Sequence, residues 1–500
     1  MTKTKKKVLL IMIGMILSKI LGLSREIFVA AKYGTGVISD SFIVALSIPN
    51  ILFSSISSAI LINYIPIYSK IKQGDKKRSF NSNLLNILFI FITIFVILFM
   101  IFKEPILKIF VAGYTESELV YLSNIASISV FSVYFIVLGY VFKGYLEYKE
   151  KFFCTAINGI VLNFGLILGI LFSNSEKYHI LGYGILLGYG LNFIFLLISS
   201  IKNKFKYKLE LNFKDPNIKQ LCLLTLPILL NDSIWEINSI VDKTITSTIG
   251  SGYISALNYG NYISTVVITV LVTSVMTVFF PKLVKKIDDN EYVYSQIKRI
   301  FNYLFIVCLP ITILCFSYSY DIVKFIFFRG AFDQSSLQIT SIALKIYSCG
   351  IIFVGIKTVM FKVFYAYQDT KHPSISAIIS IGLNIVLSLI FAKIFGYQGI
   401  IIATIISSFV SCLALNMFYS KKFNVIFDKS FIKQLSKVLI CVLIFGLLVL
   451  IDKLFILKFV ESEFLNIILI GGLSLLNLVV YYFILRKLNL VDKIQLRRKE

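Results

Sequence analysis

The chain has 500 residues, 57% of them hydrophobic, with a mean hydropathy of +0.85. Soluble domains lie near about 45–50% apolar, so the composition excludes an ordinary soluble protein. The net charge of +24 sits in short loops between apolar runs. That is the positive-inside pattern of a membrane protein rather than a nucleic-acid surface.

A membrane span needs about 20 apolar residues, and the chain predicts an all-α integral membrane protein with about 14 transmembrane helices: 8–31, 40–68, 83–101, 119–146, 152–172, 180–201, 219–249, 254–284, 297–319, 337–367, 374–395, 400–419, 431–451 and 464–485. The opening "MTKTKKK" resembles a leader, but no small-residue cleavage site follows cleanly, so the first span is read as retained. With the N-terminus in the cytoplasm, most Lys and Arg fall on cytoplasmic loops, among them "SKIKQGDKKR", "KNKFKYK", "PKLVKK" and the "RRKE" tail. Both termini are therefore expected in the cytoplasm.

An internal repeat runs through these spans. "GTGVIS" at 34–39 matches "GSGYIS" at 250–255, and Pro66 stands in register with Pro281. "FKGYLEYKE" at 142–150 mirrors "FKVFYAYQD" at 361–369, Leu162-Asn163 matches Leu383-Asn384, and Gly182 matches Gly396. All offsets are roughly 214–221 residues. An even number of spans per repeat preserves orientation, so the two halves are expected to be related by an axis along the membrane normal. This predicts two pseudo-symmetric six-helix lobes, 1–205 and 206–425, with two extra C-terminal helices and a basic tail in 426–500.

A charge at mid-bilayer costs about 2.5–3.5 kcal/mol on insertion scales, yet the spans hold Lys19, Arg25, Glu26, Asp232, Glu236, Asp242, Lys243, Lys345, Lys357 and Lys362, with Asp40 at a helix start. Several of these facing lipid is untenable, so a wet interior is expected to receive them. Lys362 and the Asp242–Lys243 pair also fit snorkelling or pairing near helix ends. Asp232 and Glu236 are four apart and share one helix face. This suits a carrier of protons or ions, with a structural pairing to lysine as the alternative; Asp242 joins them as a candidate for ion coupling. Gly22, Pro49, Pro227 and the Gly34/Gly36 and Gly250/Gly252 turns are the expected hinges, since breaks at membrane depth are tolerated where backbone lines a cavity.

Seven cysteines scattered singly and two distant histidines offer neither a metal site nor a disulfide framework. No nucleotide-binding loop is present either. No cofactor is expected, and an ion gradient or the membrane potential is the remaining energy source.

"SKILGLSREIFVAAKYGTGVISDSFIVALSIPN" (18–50) resembles the signature of the MurJ/MviN lipid II flippases, within the multidrug/oligosaccharidyl-lipid/polysaccharide exporter superfamily. "FRGAFD" (328–333) and "FYAYQDTKHP" (364–373) resemble that family's later segments. The resemblance implies two six-helix lobes about a V-shaped cavity and a lipid-tail groove on the extra helices. It also implies a cargo of undecaprenyl-pyrophosphate-linked peptidoglycan precursor, moved from the inner to the outer leaflet of the bacterial plasma membrane. By motif, Arg25 matches the family's essential first-helix arginine, Asp40 the aspartate opening the second helix, and Lys19 a basic position. Two sites depart from the pattern: Ile51 and Leu52 stand where the family carries a basic pair, and Tyr262 where it carries an arginine. Lys345 and Lys357, or Lys243, are the candidates to supply the missing positive charge. Implied partners are the lipid-linked glycan, membrane lipid and cell-wall synthesis enzymes, with no nucleic acid. The competing readings are a flippase for another undecaprenyl-linked glycan and a cation-coupled drug exporter. A membrane glycosyltransferase is disfavoured because the loops are short and basic.

Overall fold

The computed structural model describes residues 3–72, 74–423, 425–456 and 462–490, with side chains throughout except at 3–12, 15, 227, 228, 230–232, 234, 278, 463 and 464. Among the described residues the regular structure is helical, without strands. The first repeat runs α1 (Lys3–Tyr33), α2 (Val37–Lys70), α3 (Gly74–Ile101), α4 (Lys103–Phe110), α5 (Glu116–Ser129), α6 (Ser132–Tyr148), α7 (Phe152–Ala156), α8 (Asn158–Phe172) and α9 (Ile180–Lys202). The second runs α10 (Pro216–Ile249), α11 (Tyr253–Ile268), a π-helical turn at Thr269–Thr273, α12 (Ser274–Lys285), α13 (Asn290–Ser317), α14 (Ser319–Phe327), α15 (Gln334–Cys349), α16 (Ile351–Ala366), α17 (Lys371–Phe395) and α18 (Tyr397–Lys422). Two further helices follow, α19 (Lys429–Ile451), which ends in a π-helical turn at Asp452–Ile456, and α20 (Glu463–Lys487).

Ten of these helical segments are long and apolar enough to cross a bilayer, and the bent pairs α5–α6 and α15–α16 bring the number to 12. With α1 and α10, of 31 and 34 residues, the fourteen spans of the sequence reading are accounted for. The repeat extends to details that hydropathy does not encode. The short helices α4 and α14 occupy matching places, and α5–α6 and α15–α16 bend by 40° and 47° at corresponding points.

Two compact units are present, Met1–Ser255 with Arg329–Asp333, and Ala256–Phe328 with Gln334–Glu500. In the first, α2 is the central element and packs on α5, α6 and α10. Despite Pro49, α2 continues unbroken from Val37 to Lys70, and α1 passes through Gly22 without a break. A proline removes the N–H that would pair with the carbonyl four residues back. Here that carbonyl, on Ala45, accepts instead from the Ser129 hydroxyl at 3.2 Å, as neighbouring helices do in membranes. The same device recurs in the second unit, where Pro310 frees the carbonyl of Ile306 and the Tyr481 hydroxyl of α20 donates to it at 3.1 Å.

Helices α8 and α9 approach backbone to backbone. A Cβ added to Gly169 would stand 2.2 Å from the Gly184 Cα, and one on Gly165 2.5 Å from the Gly188 Cα. Each helix thus contributes a small-xxx-small pair, the geometry that lets membrane helices pack closely without a hydrophobic driving force. Gly184→Leu should therefore cost more than the about 1–3 kcal/mol of ordinary overpacking, because the obstructing atoms are backbone. A wild-type melting temperature for purified Gly184→Leu would refute this reading.

In the second unit, Val272, Met276, Phe301, Leu304 and Met360 form the buried core, and α19 and α20 pack against α13 through Val438, Phe445 and Tyr481. Asp428 begins α19: its Oδ1 accepts from the Phe431 N–H at 2.8 Å, and its Oδ2 from Lys298 Nζ at 2.6 Å. The Lys298 hydrogen bond, with the Phe431 N–H, holds the Asp428 carboxyl down at about 2. A carboxyl depressed in the folded state stabilises above its unfolded range, and that contribution disappears as pH falls toward the folded value. Asp428→Asn should lower the melting temperature at neutral pH, and the gap from wild type should close as pH approaches about 2. A gap independent of pH would show that the charge plays no part.

Candidate functional site

The charged part of α1 lies in the first unit. The Arg25 side chain is 14% exposed and that of Glu26 is 3% exposed, and the two form an ion pair. Arg25 Nη1 also donates to Asn163 Oδ1 on α8 at 3.3 Å. Asn163 is aimed by its own amide, which donates to the Gly159 carbonyl at 2.8 Å and to the Ser18 carbonyl at 3.5 Å. Lys19, half-buried on the same helix, is close enough for the Arg25 charge to act on it. The charge of Arg25 also reaches Tyr189 on α9, whose hydroxyl accepts from Asn50 Nδ2 at 2.5 Å. One arginine is thus held among acceptors from α1 and α8, with polar groups of α2 and α9 nearby. A planar guanidinium in such a setting can bind two oxygens of a phosphate at once.

Glu236 of α10 is joined to this unit by the Ser54 hydroxyl of α2, which donates to its carboxylate. Asp242 accepts from Asn238 at 3.0 Å, and Lys243 donates to Ser239 at 2.8 Å, each along its own helix. Asp232 and Pro227 fall outside the described side chains. In the second unit, Lys345 is exposed with its Nζ 4.8 Å from the Phe316 ring centre. Lys357 reaches the Ser408 hydroxyl at 3.5 Å, and Lys362 lies over Phe280.

Asp40 is engaged elsewhere than at Arg25. It is fully buried, its Oδ2 accepts from the Gly252 N–H at 2.6 Å and its Oδ1 from the Ser255 N–H at 2.7 Å. A carboxylate there caps the start of α11, where free N–H groups and the helix dipole both favour negative charge. Beside it the Ser39 and Ser255 hydroxyls lie 3.2 Å apart, so the two turns matched by the repeat meet in space. Parallel repeats permit that contact; inverted ones would send the turns to opposite faces. Gly252 has a φ of +89°, and a Cβ on it would lie 2.9 Å from the Thr35 carbonyl oxygen. Gly34 and Gly250 also have positive φ, whereas Gly36, at −167°, is in extended backbone open to any residue.

At the two positions where the family pattern carries a basic pair, Ile51 joins the core and Leu52 is half-buried. Ile51 is 7% exposed, and Phe53, close behind it, packs edge-on against Phe95 at 4.7 Å and against Phe91 at 6.4 Å. The polar groups that the sequence reading left without a role are Asn50, Asn163 and Tyr189. Of these, Asn163 carried a signal, its place in the Leu-Asn repeat. No group of three or more His, Cys, Asp or Glu side chains able to hold a metal occurs among the described residues.

Known proteins are similar to this chain over most of its length. The family model described as lipid II flippase MurJ matches residues 29–470. The probable lipid II flippase MurJ of Rickettsia prowazekii is 24% identical over 480 residues, covering 93% of this chain and 94% of that protein. The lipid II flippase MurJ of Thermosipho africanus is 28% identical over 431 residues, covering 85% and 87%. A solved structure of lipid II flippase MurJ in an inward closed conformation superposes with a TM-score of 0.83 at 28% identity, covering 96% of this chain and 99% of that one. An inward-facing multidrug transporter of the MATE family, at 14% identity and a TM-score of 0.65, shares the fold. The match across residues 29–470 makes this chain, a multi-pass membrane transporter rather than an enzyme, a member of the lipid II flippase MurJ family.

Proposed function

We propose that this chain carries lipid II from the inner to the outer leaflet by alternating access, for cell-wall synthesis. The observation that carries the reading is the Arg25 centre. A family member of this fold holds a nearly buried guanidinium among exchangeable acceptors, Glu26 and Asn163, on a membrane helix. On this reading the pyrophosphate of the cargo displaces Glu26 from Arg25, and Lys19 adds positive charge beside it. Lys345 and Lys357 contribute from the second repeat as the cargo's later contacts. The repeats 1–205 and 206–425 are the moving bodies, both termini are cytoplasmic, and cell-wall synthesis enzymes receive the product.

Transport on this reading draws on an ion gradient or the membrane potential, with Glu236, Asp232 and Asp242 as the responding groups. Moving one charge through 100 mV is worth about 2.3 kcal/mol, enough to bias a two-state cavity. The test has two arms. The chain should sustain peptidoglycan synthesis in cells depleted of their own flippases. In vesicles, its flipping of lipid II should change with imposed potential or ion gradient, and Glu236→Gln should blunt that response. Failure to sustain synthesis would remove the flippase reading, whereas flipping indifferent to every gradient would remove only the coupling.

A further inference from the structure

The segment between α9 and α10, residues 203–215, has neither helix nor strand, yet it is fastened along the first turns of α3. Polar side chains of α3 take up the segment's backbone groups. Arg78 Nη2 donates to the Tyr207 carbonyl at 3.0 Å, and Asn86 Nδ2 to the Glu210 carbonyl at 2.7 Å. The Lys208 N–H donates to Ser82 Oγ at 2.8 Å. Asn83 accepts the Asn212 N–H and returns its own amide to the Asn212 carbonyl, both at 2.7 Å. These bonds reach Asn86, inside the span that hydropathy assigns to 83–101. Irregular backbone at that depth needs partners from protein, and α3 supplies them.

Successive residues of the segment serve different surroundings. Tyr207 and Leu209 line an apolar cavity of about 680 Å³ whose other walls come from α3, α6 and α9, Phe89, Phe142 and Phe193 among them. Lys208 and Glu210 line a separate polar cavity of about 300 Å³ with Asp75, Lys76 and Arg78. Leu209 is 85% exposed, and Phe89 and Ile201, which border the apolar cavity from their spans, are 52% and 58% exposed. In a bilayer such span faces meet lipid. The two polar residues in the apolar lining, Asn86 and Tyr207, bond one another at 2.8 Å. A buried water needs about three polar partners, so hydrocarbon rather than water fits this space.

The polar cavity sets Lys76, Arg78 and Lys208 against Asp75 and Glu210. Arg78 is engaged with the Tyr207 carbonyl, and the Glu210 carboxylate accepts from Ser79 Oγ at 2.6 Å. Lys76 and Lys208 remain for an anion, and Lys202, Lys204, Lys206 and Lys214 add positive charge along the chain. Basic residues beside a span draw anionic lipid headgroups to them. A soluble anion would satisfy the lysines and leave the apolar cavity unfilled; a zwitterionic lipid would fill the cavity and leave the positive charge unmatched. We propose that the segment forms a site for an anionic phospholipid, with an acyl chain in the cavity under Tyr207 and Leu209 and the phosphate at Lys76 and Lys208. The bound lipid fixes the link between the two repeats to the bilayer surface.

The experiment places a fluorophore in the segment. Trp235 is the chain's one tryptophan, so full-length Leu209→Trp is made in a Trp235→Phe background. It is reconstituted in vesicles of phosphatidylglycerol and phosphatidylcholine, with bromine on the acyl chains of one lipid or the other. Bromine quenches on contact, so the two preparations report the relative affinity of the site. Phosphatidylglycerol should be favoured at least about fivefold, the effect of one basic residue near an anionic surface. Leu447→Trp in the same background, at a 59% exposed position on α19, should show no such preference. Lys76→Gln combined with Lys208→Gln should remove most of the preference at Leu209→Trp and leave the melting temperature unchanged, because both lysines are exposed. Absence of quenching by either lipid, equal quenching by both, or a preference indifferent to the two lysines overturns the proposal. Undecaprenyl phosphate added at the mole fraction of the phosphatidylglycerol should not relieve the quenching; relief would reassign the cavity to the tail of the cargo.

Discussion

Arg25→Ala should abolish lipid II flipping, and it should also destabilise the protein for a reason separate from transport. The substitution takes from the buried Glu26 carboxylate, whose side chain is 3% exposed, the guanidinium that pairs with it. Breaking a buried pair on one side costs about 3–5 kcal/mol. The informative variant is therefore Arg25→Ala combined with Glu26→Gln, which removes both charges together. Abundance and melting temperature should recover toward wild type in the double variant while flipping stays lost. Arg25→Lys keeps a charge for Glu26 and for phosphate but loses the planar fork, so it should fold and retain part of the activity. Two measurements decide the matter, precursor binding by the purified variants and flipping in vesicles. If the double variant binds and flips lipid II normally, Arg25 is a tie between α1 and α8 and not a cargo contact.

Asp40→Ala should act in the opposite order, on stability first. The carboxylate takes the N–H groups of Gly252 and Ser255, and hydrogen bonds to a charged group contribute about 1.5–3 kcal/mol each. Alanine takes the acceptor from both of these buried donors at the α11 start. We expect a fall in melting temperature larger than that of Asp40→Asn, which retains one acceptor oxygen. The molecules that remain folded should bind lipid II as wild type does, because the Arg25 centre is intact. Loss of binding with an unchanged melting temperature would restore Asp40 to the cargo site. Gly252→Ala offers an independent check, since it crowds the Thr35 carbonyl and should destabilise the same junction without touching a charge.

The two substitutions part company because Arg25 and Asp40, so close in sequence, belong to different local structures. The family signature named both as site residues, a guanidinium and a carboxylate fifteen residues apart. In the folded chain Arg25 turns to α8 and Asp40 to α11, and each has partners more than a hundred residues away.

The sequence by itself determined the spans, the repeat and the place of the charges. Hydrophobic length is a local property, and a bilayer imposes it on every crossing segment; a duplicated half carries its offset in plain order. The paired glycines of α8 and α9 stand four apart in the chain, but their backbone contact emerged only in the folded structure. What only the tertiary structure decided is which groups meet. By sequence Pro49 is a hinge, yet the carbonyl it frees is taken by Ser129 from another helix, as the Ile306 carbonyl freed by Pro310 is taken by Tyr481. Ile51 puts packed core where the family pattern carries a basic residue, and the acceptors of Arg25 come from Glu26 beside it and from Asn163 across the unit. The reason is physical: a buried polar atom needs a partner at about 3 Å, and it takes whichever group the packing of helices brings there, however distant in sequence.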